Sequence, residues 1–282
     1  MSYAQQLNRS DFRAGHLTIN HGGDLCIAKK LIDVASAAGC HYIKFQKRTI
    51  SLVYSKEELD KPRESQWGIT VREQKEGLEF NKYDYYELAF YCKQKGIKWF
   101  ASSWDVLSLD MMVDFNIPFI KIPSALITNR ELLEACKIYT IPVILSSGMS
   151  TLEMVDEAID ILGKDRVHCI MACTSTYPTK PEESNVKCIT TLKERYPWTK
   201  IGFSNHYPGL MSMIMAYVLG AEMLEFHGTL DRSMLGSDQA SSIEPKGVFE
   251  LMERLRLIEK MQGDGIKKIF ESEKLIMQKL RR

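Results

Sequence analysis

Two histidines follow two consecutive predicted strands in the last third of the sequence. His206 comes after the strand predicted at 200–203, and His227 ends the strand predicted at 222–226, with one predicted helix between them. In parallel α/β proteins, functional side chains collect at the carboxyl ends of the strands. Imidazole is a common ligand of divalent metal ions, so the pair predicts a metal site. The alternative is a structural, hydrogen-bonded role for each ring. Their equivalent positions and nearby acids such as Asp238 disfavour it.

Lysines and serines mark the ends of several other predicted strands. Lys44 and Lys121 are expected in the mouth of the fold, where a cation is costly to bury unless an anion pairs with it. The serines are Ser102, Ser124, Ser146, Ser175 and Ser204. Two cations beside a ring of hydroxyl donors predict a pocket for a ligand with phosphate and carboxylate groups. Gly148 would let backbone N–H groups approach a phosphate. Taken singly, each serine is more simply explained as a helix N-cap.

Composition excludes several classes of protein. The 282 residues are 45% hydrophobic and carry a net charge of +1, so neither nucleic acid nor a membrane surface is an expected partner. No apolar run reaches the roughly 18 residues of a transmembrane helix, and the N-terminus lacks the apolar core of a secretory signal. The seven cysteines are scattered and form no CxxC pair. We read them as reduced core residues of a cytoplasmic protein.

Strands and helices alternate along most of the chain. The first helix is predicted to begin after the N-cap Asp24 and to end at Gly39. Eight strand–helix units follow one another, which predicts a single (β/α)8 TIM barrel over 1–282, with a peripheral helix or loose tail at about 263–282. A doubly wound open sheet is the alternative, but it usually has fewer strands and often a glycine fingerprint that is absent here.

One segment interrupts this alternation. Residues 47–81 are polar and poorly periodic, and a loop of that length in a compact domain is usually functional. It contains Lys61, Arg63, Arg72 and Lys75. We expect it to cover the mouth and to bind an acidic or phosphorylated substrate. A solvated charged loop is an equally good interpretation.

Several motifs together carry a resemblance. They are 19–24 (INHGGD), 44–46 (KFQ), 121–124 (KIPS), 146–149 (SSGM), 173–178 (CTSTYP), 202–206 (GFSNH), 227–238 and 243–245 (IEP). In this order and spacing, over about residues 13–273, the chain resembles the catalytic barrel of the sialic acid synthase (NeuB, N-acetylneuraminate synthase) family. The resemblance implies a metal-dependent condensation of phosphoenolpyruvate with an open-chain aldose. The product would be a 2-keto-3-deoxy sugar acid of the nonulosonic (sialic) type, with release of phosphate.

The resemblance also implies roles for individual residues. His206 and His227 match the ligands of a divalent metal, most often manganese or magnesium. The positions that match phosphoenolpyruvate-binding residues are Lys44, Lys121, Ser102, Ser124, Ser146, Ser175 and Ser204. Gln46, Tyr177 and Asp238 match positions near the sugar, and Asp238 is counted with the two lysines and two histidines as catalytic.

The chain departs from the family pattern in three respects. His16 replaces a glutamate near the sugar and metal, and Leu126 replaces a second carboxylate. The sequence given ends without the small antifreeze-like domain that usually follows, so we expect no such domain here. A homodimer, or a separate capping domain or protein, would then close the site. His16 could instead join His206 and His227 in a three-histidine site closer to zinc or iron chemistry.

Two other functions remain compatible with the sequence. A metal-dependent aldolase or lyase of 2-keto acids would use the same metal but would need no phosphate cradle. A degenerate barrel that only binds a partner would explain the missing carboxylates but not the retained histidine pair.

Overall fold

Eight parallel strands form the centre of the protein. The computed structural model describes the backbone of residues 13–18, together with residues 20–281. Within these residues the strands are β1 (Arg13–Thr18), β2 (Tyr42–Lys47), β3 (Lys98–Ser103), β4 (Ile120–Ile122), β5 (Val143–Ser146), β6 (Val167–Cys173), β7 (Lys200–Asn205) and β8 (Met223–His227). Their order in the sheet, β1-β8-β7-β6-β5-β4-β3-β2, closes it into a barrel because β1 pairs with both β8 and β2. The predicted parallel α/β architecture is confirmed.

A helix follows each strand. In chain order the helices are α1 (Leu25–Ala38), α2 (Lys82–Gln94), α3 (Val106–Val113), α4 (Arg130–Cys136), α5 (Leu152–Leu162), α6 (Cys188–Arg195), α7 (Met211–Val218) and α8 (Pro245–Gln262). The predicted cap of α1 is confirmed, because Asp24 Oδ1 accepts hydrogen bonds from the backbone N–H groups of Cys26 and Ile27. Gly39 ends this helix with a φ of 86°, a conformation that favours glycine.

The strands are apolar because helices cover the outer face of the sheet while side chains fill its interior. All four residues of β5 and all three of β4 are buried. Helix α5 turns Val155, Ala158 and Ile159 towards the sheet at helical spacing. The apolar core therefore holds the strand ends in fixed positions, which is what a site built on them requires.

The segment between β2 and α2 is folded, which corrects the prediction of a structureless loop at 47–81. It contains short helices at Ile50–Val53, Lys56–Leu59 and Val71–Gly77, and an antiparallel hairpin of Pro62–Ser65 with Gly68–Thr70. Ile50, Leu59 and Val71 form a small hydrophobic cluster of their own. Sparse apolar residues at short intervals were enough for this cluster but too few to give a periodic signal.

The two ends of the sequence differ in how much of them the structure describes. Residues 1–12, which the sequence predicts to carry no secretory signal, lie outside the described part, as does Ile19 in the first motif. The predicted peripheral tail contains an exposed helix, Glu271–Leu280. Among the helices of the described residues, none combines the length and hydropathy that a membrane-spanning segment needs.

Candidate active site

One cavity of about 250 Å³ lies at the carboxyl ends of the strands. Every predicted site residue whose side chain the structure describes lines it. These residues are Lys44, Gln46, Ser102, Lys121, Ser124, Ser146, Ser175, Tyr177, Ser204, His206, His227 and Asp238. The side chain of His16 lies outside the described residues, but its backbone pairs in register with His227 on one side and Lys44 on the other.

The register of the sheet explains why these side chains meet. Ser102 lies beside Lys121 across β3 and β4, and Ser204 lies beside Glu225 across β7 and β8. Side chains two residues apart on a strand share a face, so Glu225 and His227 occupy the same face of β8. Residues far apart in sequence are therefore brought together by strand pairing alone.

The two predicted metal ligands are close neighbours. The ring centroids of His206 and His227 are 5.1 Å apart, and the Tyr177 ring lies 4.1 Å from that of His206. Nδ1 of His206 donates to the carbonyl oxygen of Thr174 at 2.6 Å, and Nδ1 of His227 lies 3.3 Å from Oδ2 of Asp238. A histidine held in this way through Nδ1 presents Nε2 to a metal ion.

Burial and neighbouring charges set the ionisation of His227 and Asp238. Burial lowers the pKa of His227 despite the neighbouring Asp238 carboxylate, which favours the neutral, metal-binding ring. Burial would raise the pKa of Asp238, but the hydrogen bonds with His227 and Ser237 and the charges of the two histidines together lower it to about 2. Asp238 therefore stays a carboxylate and orients His227.

The two buried lysines have a counter-ion that sequence reasoning missed. Oε1 of Glu225 accepts from Lys44 Nζ at 3.1 Å and from the Ser204 hydroxyl at 3.0 Å, while Oε2 lies 3.5 Å from Lys121 Nζ. The expectation that these lysines need an external anion was therefore wrong in part, because one protein carboxylate already offsets one of the two charges. Burial, only partly opposed by Glu225, lowers the pKa of Lys44 to about 7.

The serines complete a cradle around the lysines. Lys121 Nζ donates to the Ser146 hydroxyl, and the Gly148 N–H donates to the Ser124 hydroxyl at 3.1 Å. A Cβ at position 148 would collide with the hydroxyls of Ser124 and Ser175, so glycine keeps this space open. We call Lys44, Lys121 and the five predicted serines the lysine–serine cradle.

Cys173 belongs to the cavity rather than to the core, which corrects its assignment from sequence. Its Sγ lies 3.6 Å from the Ser124 hydroxyl and 3.9 Å from His206 Nδ1. Burial would raise the pKa of this thiol, but His206 and Ser124 lower it to about 7. Its spacing of two residues from Ser175 was the available signal, since both fall on one face of an extended chain.

Lys75, which belongs to the segment predicted to cover the mouth, lines the cavity as expected. Other lining residues were missed. They are Arg48, Trp104, Pro123, Ala125, Met149, Cys173, Glu225 and Ser237. Leu126, where a family carboxylate is expected, instead packs against the hydrophobic core. Arg48 follows Lys44 and Gln46 at intervals of two residues, along the same strand and its extension. Residues at this spacing share a face, which was the available signal for Arg48.

The donor set fits a metal bound by two imidazoles and completed by water or substrate. No group of three or more His, Cys, Asp and Glu side chains among the described residues has the arrangement to hold a metal ion. The fit therefore rests on the spacing of His206 and His227 and on the anchoring of their Nδ1 atoms. Open coordination positions are typical of catalytic metals, whereas structural zinc sites are closed by four protein ligands.

Comparison with known proteins places the chain in a family. A family model described as NeuB matches residues 31–267. The chain belongs to the NeuB family. It is 34% identical over 264 residues to the N-acetylneuraminate-9-phosphate synthase of Homo sapiens, covering 93% of this chain and 74% of the relative. It is 32% identical to the N,N'-diacetyllegionaminic acid synthase of Campylobacter jejuni, over 90% of this chain and 78% of that protein. The resemblance to the sialic acid synthases is thus confirmed, and this NeuB-family protein is an enzyme of the synthase class.

Solved structures agree with the family. The N-acetylneuraminic acid synthetase of Leptospira borgpetersenii, crystallised with citrate, superimposes with a TM-score of 0.82 at 30% identity and covers 96% of this chain and 93% of its own. A truncated 3-deoxy-D-arabino-heptulosonate 7-phosphate synthase of Thermotoga maritima gives a TM-score of 0.65 at 13% identity, with 90% and 87% coverage. Because the identity to this second structure is so low, the comparison shows only that the two proteins share a fold.

Proposed function

We propose that this NeuB-family (β/α)8 enzyme condenses phosphoenolpyruvate with an open-chain aldose. Carbon 3 of phosphoenolpyruvate bonds to the aldehyde carbon, water adds at carbon 2, and the carbon–oxygen bond to phosphate breaks. The products are a 2-keto-3-deoxy sugar acid of the nonulosonic type and inorganic phosphate. The observation that carries the proposal is that one cavity contains both the lysine–serine cradle and the histidine pair.

The cradle suits phosphoenolpyruvate because its donors outnumber its acceptors. Lys44 and Lys121 together carry one more charge than Glu225 offsets, and both are almost fully buried, at 2% and 1% exposure. An anionic ligand would meet these cations away from water, where charge-assisted hydrogen bonds are strong. The serine hydroxyls add neutral donors that can follow the phosphate oxygens as the carbon–oxygen bond breaks.

We assign the metal to His206 and His227, with manganese or magnesium favoured and zinc or iron as alternatives. When bound, the metal supplies a Lewis acid that polarises the aldehyde oxygen. Asp238 fixes the tautomer and orientation of His227, and the Thr174 carbonyl does the same for His206. His16, in register beside His227, is proposed either as a third ligand or as a donor to a sugar hydroxyl.

The sugar is assigned to the side of the cavity lined by Gln46, Tyr177 and Asp238. Burial raises the pKa of Tyr177, so its hydroxyl stays protonated and can donate to the substrate. The carboxylate of Asp238, with its low pKa, accepts hydrogen bonds from sugar hydroxyls as well as from His227.

We also propose a cytoplasmic enzyme whose mouth is closed by another subunit or polypeptide. All seven cysteines are free thiols, which is typical of a reducing compartment. A homodimer, or a separate capping protein, would exclude water from the cavity while the carbon–carbon bond forms.

The decisive experiment measures phosphate release from phosphoenolpyruvate across a panel of aldoses, with manganese or magnesium present. We expect release that depends on the aldose. Lys121→Met should abolish phosphate release. The matched change Lys200→Met should not, because Lys200 lies at the amino end of β7 and does not line the cavity. Release of pyruvate from 2-keto acids without phosphate chemistry would instead establish a lyase. Absence of both reactions would leave a degenerate barrel.

A further inference from the structure

The loop between β6 and α6 contains a buried threonine that does not line the catalytic cavity. Thr179 is only 4% exposed, although the residues on both sides of it are exposed. It ends the stretch 174–179, which we call the 174–179 loop. This loop carries Ser175 of the lysine–serine cradle and Tyr177 on the side of the cavity assigned to the sugar. A polar side chain buried at such a place is expected to be hydrogen-bonded and to hold its neighbours in position.

Thr179 holds the 174–179 loop against His206 at two points. Its backbone N–H donates to the carbonyl oxygen of His206 at 3.0 Å. Its hydroxyl proton is shared between the carbonyl oxygens of Thr176 at 2.9 Å and Thr174 at 3.3 Å. The Thr174 carbonyl in turn accepts from His206 Nδ1 at 2.6 Å. These contacts form a closed ring in which one threonine supports both the main chain and the imidazole of His206.

The Thr174 carbonyl decides which nitrogen of His206 carries the proton. A carbonyl oxygen can only accept, so it requires Nδ1–H and leaves on Nε2 the lone pair that binds a metal ion. A competing neighbour of Nδ1 is Cys173, whose Sγ lies 3.9 Å away. In its protonated form a thiol can donate to Nδ1, which would place the ring proton on Nε2 and block coordination. The position of one carbonyl oxygen therefore favours the metal-binding tautomer over the other.

The second histidine of the pair does not depend on this loop. Nδ1 of His227 is held by the carboxylate of Asp238, which lies between β8 and α8. A carboxylate fixes the Nδ1–H tautomer more strongly than a carbonyl does, because the hydrogen bond is charge-assisted. Nδ1 of His206 is held instead by an uncharged carbonyl, so its orientation depends on where the loop places Thr174.

We propose that Thr179 is a positioning residue of the metal site, and that it sets the tautomer and direction of His206 through the Thr174 carbonyl. Groups that orient a metal-ligating histidine typically change metal affinity by about 10- to 100-fold when they are removed. The role concerns the metal assigned to the histidine pair, so the inference rests on that part of the proposed function. It adds a residue that touches neither the metal nor either substrate.

The tautomer of His206 tests the proposal without metal, substrate or turnover. Long-range proton–nitrogen NMR spectra of the metal-free enzyme distinguish Nδ1–H from Nε2–H rings at a pH where the ring is neutral. The His206 signals are identified by their absence in His206→Gln. We expect Nδ1–H in wild type and in Thr179→Ser, which keeps the hydroxyl. Thr179→Val keeps the shape and the backbone N–H but lacks the hydroxyl, and it should give a mixture with Nε2–H. An unchanged ring in Thr179→Val would overturn the proposal.

Manganese binding gives the second measurement. Electron paramagnetic resonance counts free manganese as the enzyme is titrated with manganese alone. Thr179→Val should weaken binding by about 10- to 100-fold, whereas Thr179→Ser should stay within about threefold of wild type. The matched control is Thr199→Val, because the Thr199 hydroxyl also donates to a backbone carbonyl, that of Val167 at 2.8 Å, but at the amino ends of β6 and β7. It should leave manganese binding unchanged.

The outcomes separate positioning from a general effect on folding. Equal losses of manganese affinity in Thr179→Val and Thr179→Ser, or an equal loss in Thr199→Val, would show a packing role and overturn the proposal. A changed tautomer with unchanged manganese affinity would also overturn it, because His206 would then not hold the metal, and so would a wild type that binds no manganese. The proposed function fails by a different result, which is the absence of aldose-dependent phosphate release in wild type.

Discussion

The inner and outer groups of cations in this enzyme are balanced in opposite ways. In the lysine–serine cradle, Glu225 contacts both Lys44 and Lys121 before any ligand is present. Further out, Arg63 and Lys75 have no such carboxylate within the described residues, and Arg48 shares Glu79 with Lys47. The inner charges are thus paired with a carboxylate of the protein, whereas the outer charges of Arg63 and Lys75 are not paired among the described residues.

This difference suggests a division of labour. Cations fixed by a buried carboxylate are preorganised, which suits groups that must stabilise charge during a reaction. Cations that are partly exposed and unpaired contribute to selection and to the rate of encounter with an anionic substrate. The cradle would then serve the chemistry, and the outer cations the encounter with an anionic substrate.

Metal removal is expected to have the largest effect and to separate chemistry from anion binding. Chelation should lower phosphate release by about 10³-fold or more, because Lewis-acid stabilisation is worth several kcal/mol. His227→Gln should behave alike, whereas His168→Gln, against Phe119 and away from the cavity, should not. Phosphoenolpyruvate should still bind the chelated enzyme, as calorimetry can show. If thoroughly chelated enzyme kept its full turnover, His206 and His227 would have no metal-dependent role in the reaction.

Loss of Glu225 should destabilise the free enzyme more than any change among the outer cations. Glu225→Gln leaves two buried lysines without their counter-ion, and breaking such a buried pair costs about 3–5 kcal/mol in the free energy of unfolding. Denaturant unfolding should show this loss, with partial recovery on adding phosphoenolpyruvate. The double change Glu225→Gln/Lys121→Met should also recover stability but not activity. A single variant as stable as wild type would show that Glu225 is not the counter-ion.

The pH dependence of phosphoenolpyruvate binding should report on Lys44. Its pKa of about 7 means that its charge is present below pH 7 and is lost as the pH rises. Phosphate monoesters are fully ionised above their second pKa of about 6. Affinity should therefore fall between pH 7 and 9, by up to about tenfold per pH unit, since binding above pH 7 must take up one proton. Lys44→Gln should bind more weakly and with a shallower decline over this range, because only the ionisation of Cys173, whose pKa is also about 7, then remains. A flat profile in wild type would contradict the lowered pKa.

Sequence alone predicted the elements and the strand-end residues because both depend on local patterns. The apolar runs before Lys121, Ser146 and His206 identify strands, and the polar residue that ends each run marks the site. Glu225 was missed although it stands two residues before His227, because it lies inside a predicted strand and not at the end of one, where site residues were sought. Period-two alternation from a known site residue would have found it.

Partnerships across the fold could not be predicted in this way. Which cation Glu225 neutralises depends on contacts between residues 181 positions apart in the chain. The separation of Lys61 from Lys75 similarly depends on which carboxylates the folded segment places beside each of them. Sequence spacing shows which residues share a face, and only tertiary packing shows which charges are balanced.

The smallest expected effects concern stability in the outer segment. Arg72→Gln breaks exposed pairs with Asp60 and Glu76 and should change the free energy of unfolding by less than about 0.5 kcal/mol. Lys75→Gln removes an unbalanced, partly buried cation and should be neutral or slightly stabilising, because no carboxylate loses its partner. Chemical denaturation of the two variants in parallel measures the difference. If Lys75→Gln destabilised the free enzyme by more than Arg72→Gln, Lys75 would have a structural role, and the contrast between the inner and outer cations would fail at that residue.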